Sequence, residues 1–146
     1  MRYLVYLGYY SDDNTYTKIG ESKDIYSRTC SYNTSDPIND FKVICLIELD
    51  TEEDMHKMEL YLLLHYDDYK ARHDVNYKHR NPDNEWITIR PTKTDITYIV
   101  KDNIINIPHT ILSEEETNIV LHDIQEKQNK DYNNKQILRN KIKKKN

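Results

Sequence analysis

Residues 2–28 read RYLVYLGYYSDDNTYTKIGESKDIYSR, and their interpretation decides the fold. RYLVYLGYY is a short apolar run rich in aromatic and β-branched residues, which predicts a strand. SDDN is a turn cluster, and TYTKIG predicts the returning strand of a hairpin. Gly20 is one of only two glycines in the chain, so a backbone reason for it is expected, namely a tight turn from this strand into a helix. Ser22 is a suitable N-cap for a helix over residues 23–33, with Asp24 in the first turn, where a carboxylate favours the dipole. NTSDP at 33–37 stops it. On that helix Arg28 lies three residues after Ile25 and four before Tyr32, hence on the inward face. A guanidinium there needs a partner, either a structural acid such as Glu59 or a phosphate held bidentately.

Further along, FKVICLIELD at 41–50 predicts a third, buried strand. Residues 51–69 begin with Thr51 and a run of acids, then carry Met55, Met58, Leu62, Leu63 and Tyr66 at helical spacing. The second half of that helix is apolar on nearly every side and is expected to be buried. Glu59 falls four residues after Met55 and three before Leu62, on the stripe that faces the core. A buried carboxylate must be paired, protonated or bound to a metal, unless it sits at the stripe's edge and reaches out to water. A polar loop follows over 70–84, then EWITI as a strand with Trp86 as a core anchor. ITYIV at 96–100 predicts another strand. SEEE at 113–116 has the capping-box form and opens a helix expected to run toward residue 140 without a heptad.

Length and composition suit one α+β domain with an appended arm. Thirteen tyrosines against one Trp and one Phe supply much of the apolar area. No run approaches a membrane span and no signal peptide is visible, so an intracellular protein (cytoplasmic or nuclear) is expected, with Cys30 and Cys45 as reduced thiols. The formal charge is -4, yet from Lys127 onward eight bases face one acid, a net of +7 that leaves -11 on residues 1–126. A basic tail on an acidic body suits contact with nucleic acid, through Lys141, Lys143, Lys144 and Lys145, or is simply a solvated helix end.

These residues resemble a known arrangement. LVY at 4–6 and KIG at 18–20 are similar to the paired motifs of the GIY-YIG nuclease superfamily. The step from Gly20 to Arg28, with Ser22 two after the glycine, resembles that family's step to its arginine. NTSDP resembles the Asn-Thr-Gly-Ser-Pro turn of the phage and large-DNA-virus branch with a KIG second motif. ELYLLLHYDDYK at 59–70 resembles its Glu-led helix, and NEWI at 84–87 its Glu-Trp-Phe strand.

The resemblance implies a small three-stranded antiparallel sheet flanked by helices over residues 1–90, with 91–146 as an extension carrying a strand and a long basic-ended helix. It implies a viral metal-dependent endonuclease that hydrolyses phosphodiester bonds, with DNA as the expected partner and one Mg2+ or Mn2+ ion. Glu59 would hold the metal, Tyr6 would activate or position the attacking water, and Arg28 would stabilise the transition state. Lys18 stands where the second motif has tyrosine and would serve as a cation beside Tyr6. Tyr16, Ser22 and His65 are accessory candidates. The first motif's glycine is Leu4 here, a histidine position of the branch is Leu63, and an arginine position is Lys70. The rival is a module of the same fold that binds nucleic acid or protein without cutting, favoured by 17 acids against 11 bases in residues 1–90. His65, His73 and His79 match no common zinc spacing. Tyr9 and Tyr10 would either stack on bases or fill the core.

Overall fold

The computed structural model describes residues 2–11, 16–23, 41–71, 85–101 and 106–144, with backbone alone at 124, 125, 128, 129 and 131. All of the expected helix over 23–33 but its first residue lies outside these residues, as do Arg28, Cys30, the NTSDP turn, His73, His79 and Lys145.

The opening hairpin forms as its alternation dictates, from β1 (Tyr3–Tyr10) and β2 (Thr17–Ser22). β3 (Phe41–Leu49) pairs with the other side of β1. The antiparallel sheet has five strands among the described residues, in the order β4-β2-β1-β3-β5. This exceeds the three strands that the resemblance implies. The two additions are short edge strands, β4 (Trp86–Ile87) against β2 and β5 (His109–Ile111) against β3. Two- and three-residue pieces carry almost no periodic signal of their own, and neighbouring backbone recruits them. EWITI thus contributes only two strand residues.

Register assigns the faces. Tyr6 stands opposite Gly20 and Leu46, and Gly8 opposite Lys18, so Tyr6 and Lys18 share one face. Val5, Leu7, Ile19, Cys45 and Ile47 occupy the other, where they form the core with Met55, Met58 and Leu62. Each such side chain withdrawn from water contributes about 1.5–3 kcal/mol. On the Tyr6 face Leu4, Leu46, Phe41 and Trp86 are buried as well. The β1–β3 register shifts between Leu7 and Gly8, where a Cβ would stand 2.5 Å from the Lys42 carbonyl oxygen.

Helix α1 (Glu52–His65) starts where Thr51 caps it, its hydroxyl accepting from the Asp54 amide at 3.1 Å. It ends four residues earlier than expected and passes into a 3₁₀ turn, Asp67–Tyr69. Its second half is not buried all round. Leu62 is fully buried, but Leu60 and Leu64 are 57% and 62% exposed. Apolar composition alone does not bury a face; here only the side toward the sheet finds partners.

ITYIV is helical, not a strand. Helix α2 (Lys93–Lys101) opens on a reciprocal cap: the Asp95 carboxylate accepts from the Thr92 amide at 2.9 Å, and the Thr92 hydroxyl accepts from the Asp95 amide at 3.1 Å. Ile96 and Val100, four apart, then join the core. β-Branched residues prefer strands only weakly, and the cap with i,i+4 burial outweighs that preference.

The chain divides into two compact units, Met1–Leu112 and Ser113–Asn146. Residues 91–112, grouped with the extension on sequence grounds, thus supply a helix and an edge strand to the first unit. The second is helix α3 (Glu114–Lys144), opened by the expected capping box, with Ser113 and Glu116 exchanging hydrogen bonds of 3.1 Å. No helix among the described residues is long and apolar enough to cross a membrane.

Candidate active site

Gly20 lies inside β2 and does not form a strand-to-helix turn; neither glycine has a positive φ. Its role is spatial. A Cβ there would stand 2.5 Å from both Cζ and Oη of Tyr6 on the neighbouring strand. The phenol ring therefore lies flat across the glycine, 1% exposed, with Phe41 edge-on at 6.2 Å.

Lys18 is 5% exposed on the same face. Its ammonium pairs with Glu85, just before β4, and stands 5.6 Å from the centre of the Trp86 ring. The Ile19 amide donates to the Glu85 carbonyl at 2.8 Å, which fixes the backbone that presents this carboxylate.

Glu59 projects from α1, whose apolar stripe packs on the opposite face of the sheet. It is half-buried, and its Oε2 is a buried oxygen with no hydrogen-bond partner among the described residues. Burial first, then the negative charges of Glu21 and Glu85, push its carboxyl up to about 7; Lys18 and His56 pull the other way. Glu59 thus lies within electrostatic reach of groups from β2, α1 and the start of β4.

Glu21 and His56 complete this neighbourhood. Glu21 follows Gly20 and points to the opposite face, where His56 Nδ1 holds its two oxygens at 2.6 and 2.7 Å. His56 Nε2 lies 3.5 Å from Glu52, which also pairs with Lys23 at 2.7 Å. The hydrogen bond to Glu21 leads in raising the pKa of His56 above the ordinary imidazole range. Sequence reasoning did not single out Glu21, and it met Glu85 only within the NEWI motif, with no role assigned. Strand alternation puts Glu21 opposite in direction to Gly20, but only the packing of α1 shows that this direction leads to Glu59.

The other candidates are placed as follows. Ser22 ends β2 and is buried, and Tyr16 precedes β2 with its carbonyl accepting from Arg90 at 2.8 Å. His65 is exposed at the end of α1, edge-on to Tyr66 at 4.9 Å, and is not brought to Glu59. Lys70 is buried and paired with Asp67 at 2.8 Å. Tyr9 lies under the Arg90 guanidinium at 3.8 Å, and Tyr10 stacks on Trp86 at 6.1 Å, so both rings pack against neighbours within the fold. Cys45 is a buried thiol pushed up to about 11 by desolvation. Lys141, Lys143 and Lys144 are exposed in the last turn of α3, where cations suit the helix dipole.

A family model described as the T5orf172 domain matches residues 3–104. The chain belongs to the T5orf172 family. This family is phage-associated and linked with nuclease-like proteins. The match spans Tyr6, Lys18, Glu21, His56, Glu59 and Glu85, so the whole neighbourhood of Glu59 lies within the T5orf172 region. No curated protein and no solved structure matches the chain.

Proposed function

We propose that this T5orf172 domain is a metal-dependent endonuclease of GIY-YIG type that hydrolyses nucleic-acid phosphodiester bonds, DNA first among them. The observation that carries this reading is the Glu59 carboxylate, whose buried Oε2 has no hydrogen-bond partner among the described residues and whose ionisation is opposed by burial first and then by the charges of Glu21 and Glu85. A hard divalent cation would relieve both, and Mg2+ or Mn2+ suits a carboxylate oxygen. The described residues include no group of three or more His, Cys, Asp or Glu able to cage a metal. Glu59 would then be the one protein ligand, with water and the substrate phosphate filling the remaining positions, as Mg2+ sites commonly allow. When bound, such an ion polarises the scissile phosphate and stabilises the leaving oxygen.

The chain's own groups take the other tasks. Tyr6, carried over from the motif, would position the attacking water through its hydroxyl, although its ring is buried on the face of the sheet away from α1 and Glu59. Lys18 supplies positive potential on the Tyr6 face, moderated by its pairing with Glu85. Arg28, carried over from the motif alone, would stabilise the charge that develops on the phosphate; losing such a group costs on the order of 100-fold in rate.

A second reading, a non-cutting binding module on the same fold, is favoured by the excess of acids over bases in residues 1–90. Cleavage of plasmid and of single-stranded, duplex and branched oligonucleotides with Mg2+, Mn2+ or EDTA, beside Glu59→Ala, separates the two. Metal-dependent cutting lost in the variant supports the nuclease. Retained binding by folded wild type without cutting under any condition supports the module.

A further inference from the structure

Helix α3 carries an exposed stripe that is the complement of itself. Glu115, Ile119, Glu126, Lys130, Ile137 and Lys141 are all exposed. At about 100° per residue they fall within an arc of roughly 80°. Their spacing repeats every eleven residues, as 115, 126, 137 and as 119, 130, 141. Eleven residues make close to three turns, so a straight helix keeps the stripe on one side although no heptad is present. Thr117 and Val120, which are buried, lie outside that arc.

We propose that this stripe binds the same stripe of a second copy of the chain, with the two helices antiparallel. Turned end for end about residue 128, the stripe sets Glu115 against Lys141, Ile119 against Ile137 and Glu126 against Lys130. Two-fold symmetry makes each of these contacts twice. Charge fixes the direction. Residues 113–126 hold five acids and no Lys or Arg, whereas the segment from Lys127 onward has a net of +7. Parallel helices would place like charge on like charge; antiparallel helices place each half on its opposite. Ile119 and Ile137, 56% and 53% exposed, are the apolar contacts that such a pair covers. An open depression beside Ile119, lined also by Glu115, Asn118 and His122, receives Ile137 of the second copy.

This pairing is independent of the chemistry at Glu59. It gives the basic end of α3 a second occupant. Lys130 and Lys141, once engaged by acids of another copy, are withdrawn from a polyanion, so self-pairing and nucleic-acid binding compete for them.

The test is sedimentation equilibrium of the full chain without nucleic acid, at low and high salt, with circular dichroism to verify helix content. Wild type is expected to dimerise at low salt and to dissociate as salt rises. Glu115→Lys and Lys141→Glu each turn two attractions into repulsions and should weaken the dimer about tenfold, the scale of two surface pairs reversed. The double variant Glu115→Lys/Lys141→Glu restores opposite charges across the pair and should recover wild-type affinity. Glu115 and Lys141 are chosen because Glu126 also meets His122 of its own helix at 3.1 Å. Ile119→Ser keeps every charge and should also weaken the dimer, so it tests the same stripe if a charge reversal disturbs the helix. A wild type that stays monomeric at low salt overturns the inference. So does a dimer unmoved by Ile119→Ser, or a folded double variant that associates no more tightly than the single ones.

Discussion

The Tyr6 ring rests directly on Gly20, its Cζ and Oη each 2.5 Å from where a Cβ on that glycine would be. The contact joins the two halves of the opening hairpin and explains why β2 has a glycine in its interior, where the residue is otherwise a weak choice. It also orients the phenol: any side chain on β2 at this point would lift the ring off the sheet.

Gly20→Ala is therefore expected to destabilise the protein by about 1–3 kcal/mol, the usual cost of overpacking a filled site. Urea denaturation of wild type and variant measures it. Tyr6→Phe should not rescue the loss, because Cζ remains at the clashing distance after Oη is gone. Rescue by Tyr6→Phe would show that the hydroxyl alone sets the contact.

Glu59 leads to a pH dependence of definite sign. Its carboxyl is pushed up from 4.5 to about 7, so between these values the folded state binds more protons at this group than the unfolded chain does. Stability contributed here is present below pH 4.5 and declines as pH rises toward 7. Glu59→Gln should thus gain stability relative to wild type above pH 7 and lose that advantage in acid, as thermal melts across pH would show. Mg2+ should reverse the trend for wild type only. Because the ligand must be ionised, apparent Mg2+ affinity should rise by up to about tenfold per pH unit below 7.

The cap of α2 is open to a simple check. Thr92→Ala removes the acceptor for the Asp95 amide and is expected to cost about 1 kcal/mol. Thr92→Ser, which keeps the hydroxyl, should cost much less. Equal losses in the two variants, measured by denaturant titration, would assign the effect to the threonine methyl group.

If the basic end of α3 supplies affinity for nucleic acid, truncation after Glu126 removes a net +7 and should weaken duplex binding while flattening its salt dependence. For every phosphate that the shortened chain no longer neutralises, the slope of log K against log salt becomes shallower by about 0.9. Cleavage chemistry at saturating substrate should persist. An unchanged slope would assign the segment to another partner.

Much of the candidate site is legible residue by residue. Glu59 stands out because a carboxylate on an apolar stripe needs a reason, and its raised pKa and buried oxygen express that tension. Gly20 stands out for its rarity, but its purpose differs from the expected one: a turn and a close cross-strand approach leave the same mark on one sequence. Glu21, His56 and Glu85 are not legible as a group. Each is an ordinary polar residue until the fold sets Glu21 beside His56, 35 positions away, and Glu85 beside Lys18, 67 away.

The same division runs through the fold. Local physics determined what local pattern could encode: the hairpin, β3, the start of α1 at Thr51 and the start of α3 at Ser113. Alternation and capping act within a few residues, so the sequence by itself carries them. Tertiary structure decided that ITYIV is a helix, that Leu60 and Leu64 face water, that two short segments extend the sheet, and which acids surround Glu59. These outcomes depend on which surfaces meet, and burial, edge pairing and charge proximity exist only once distant parts of the chain are brought together.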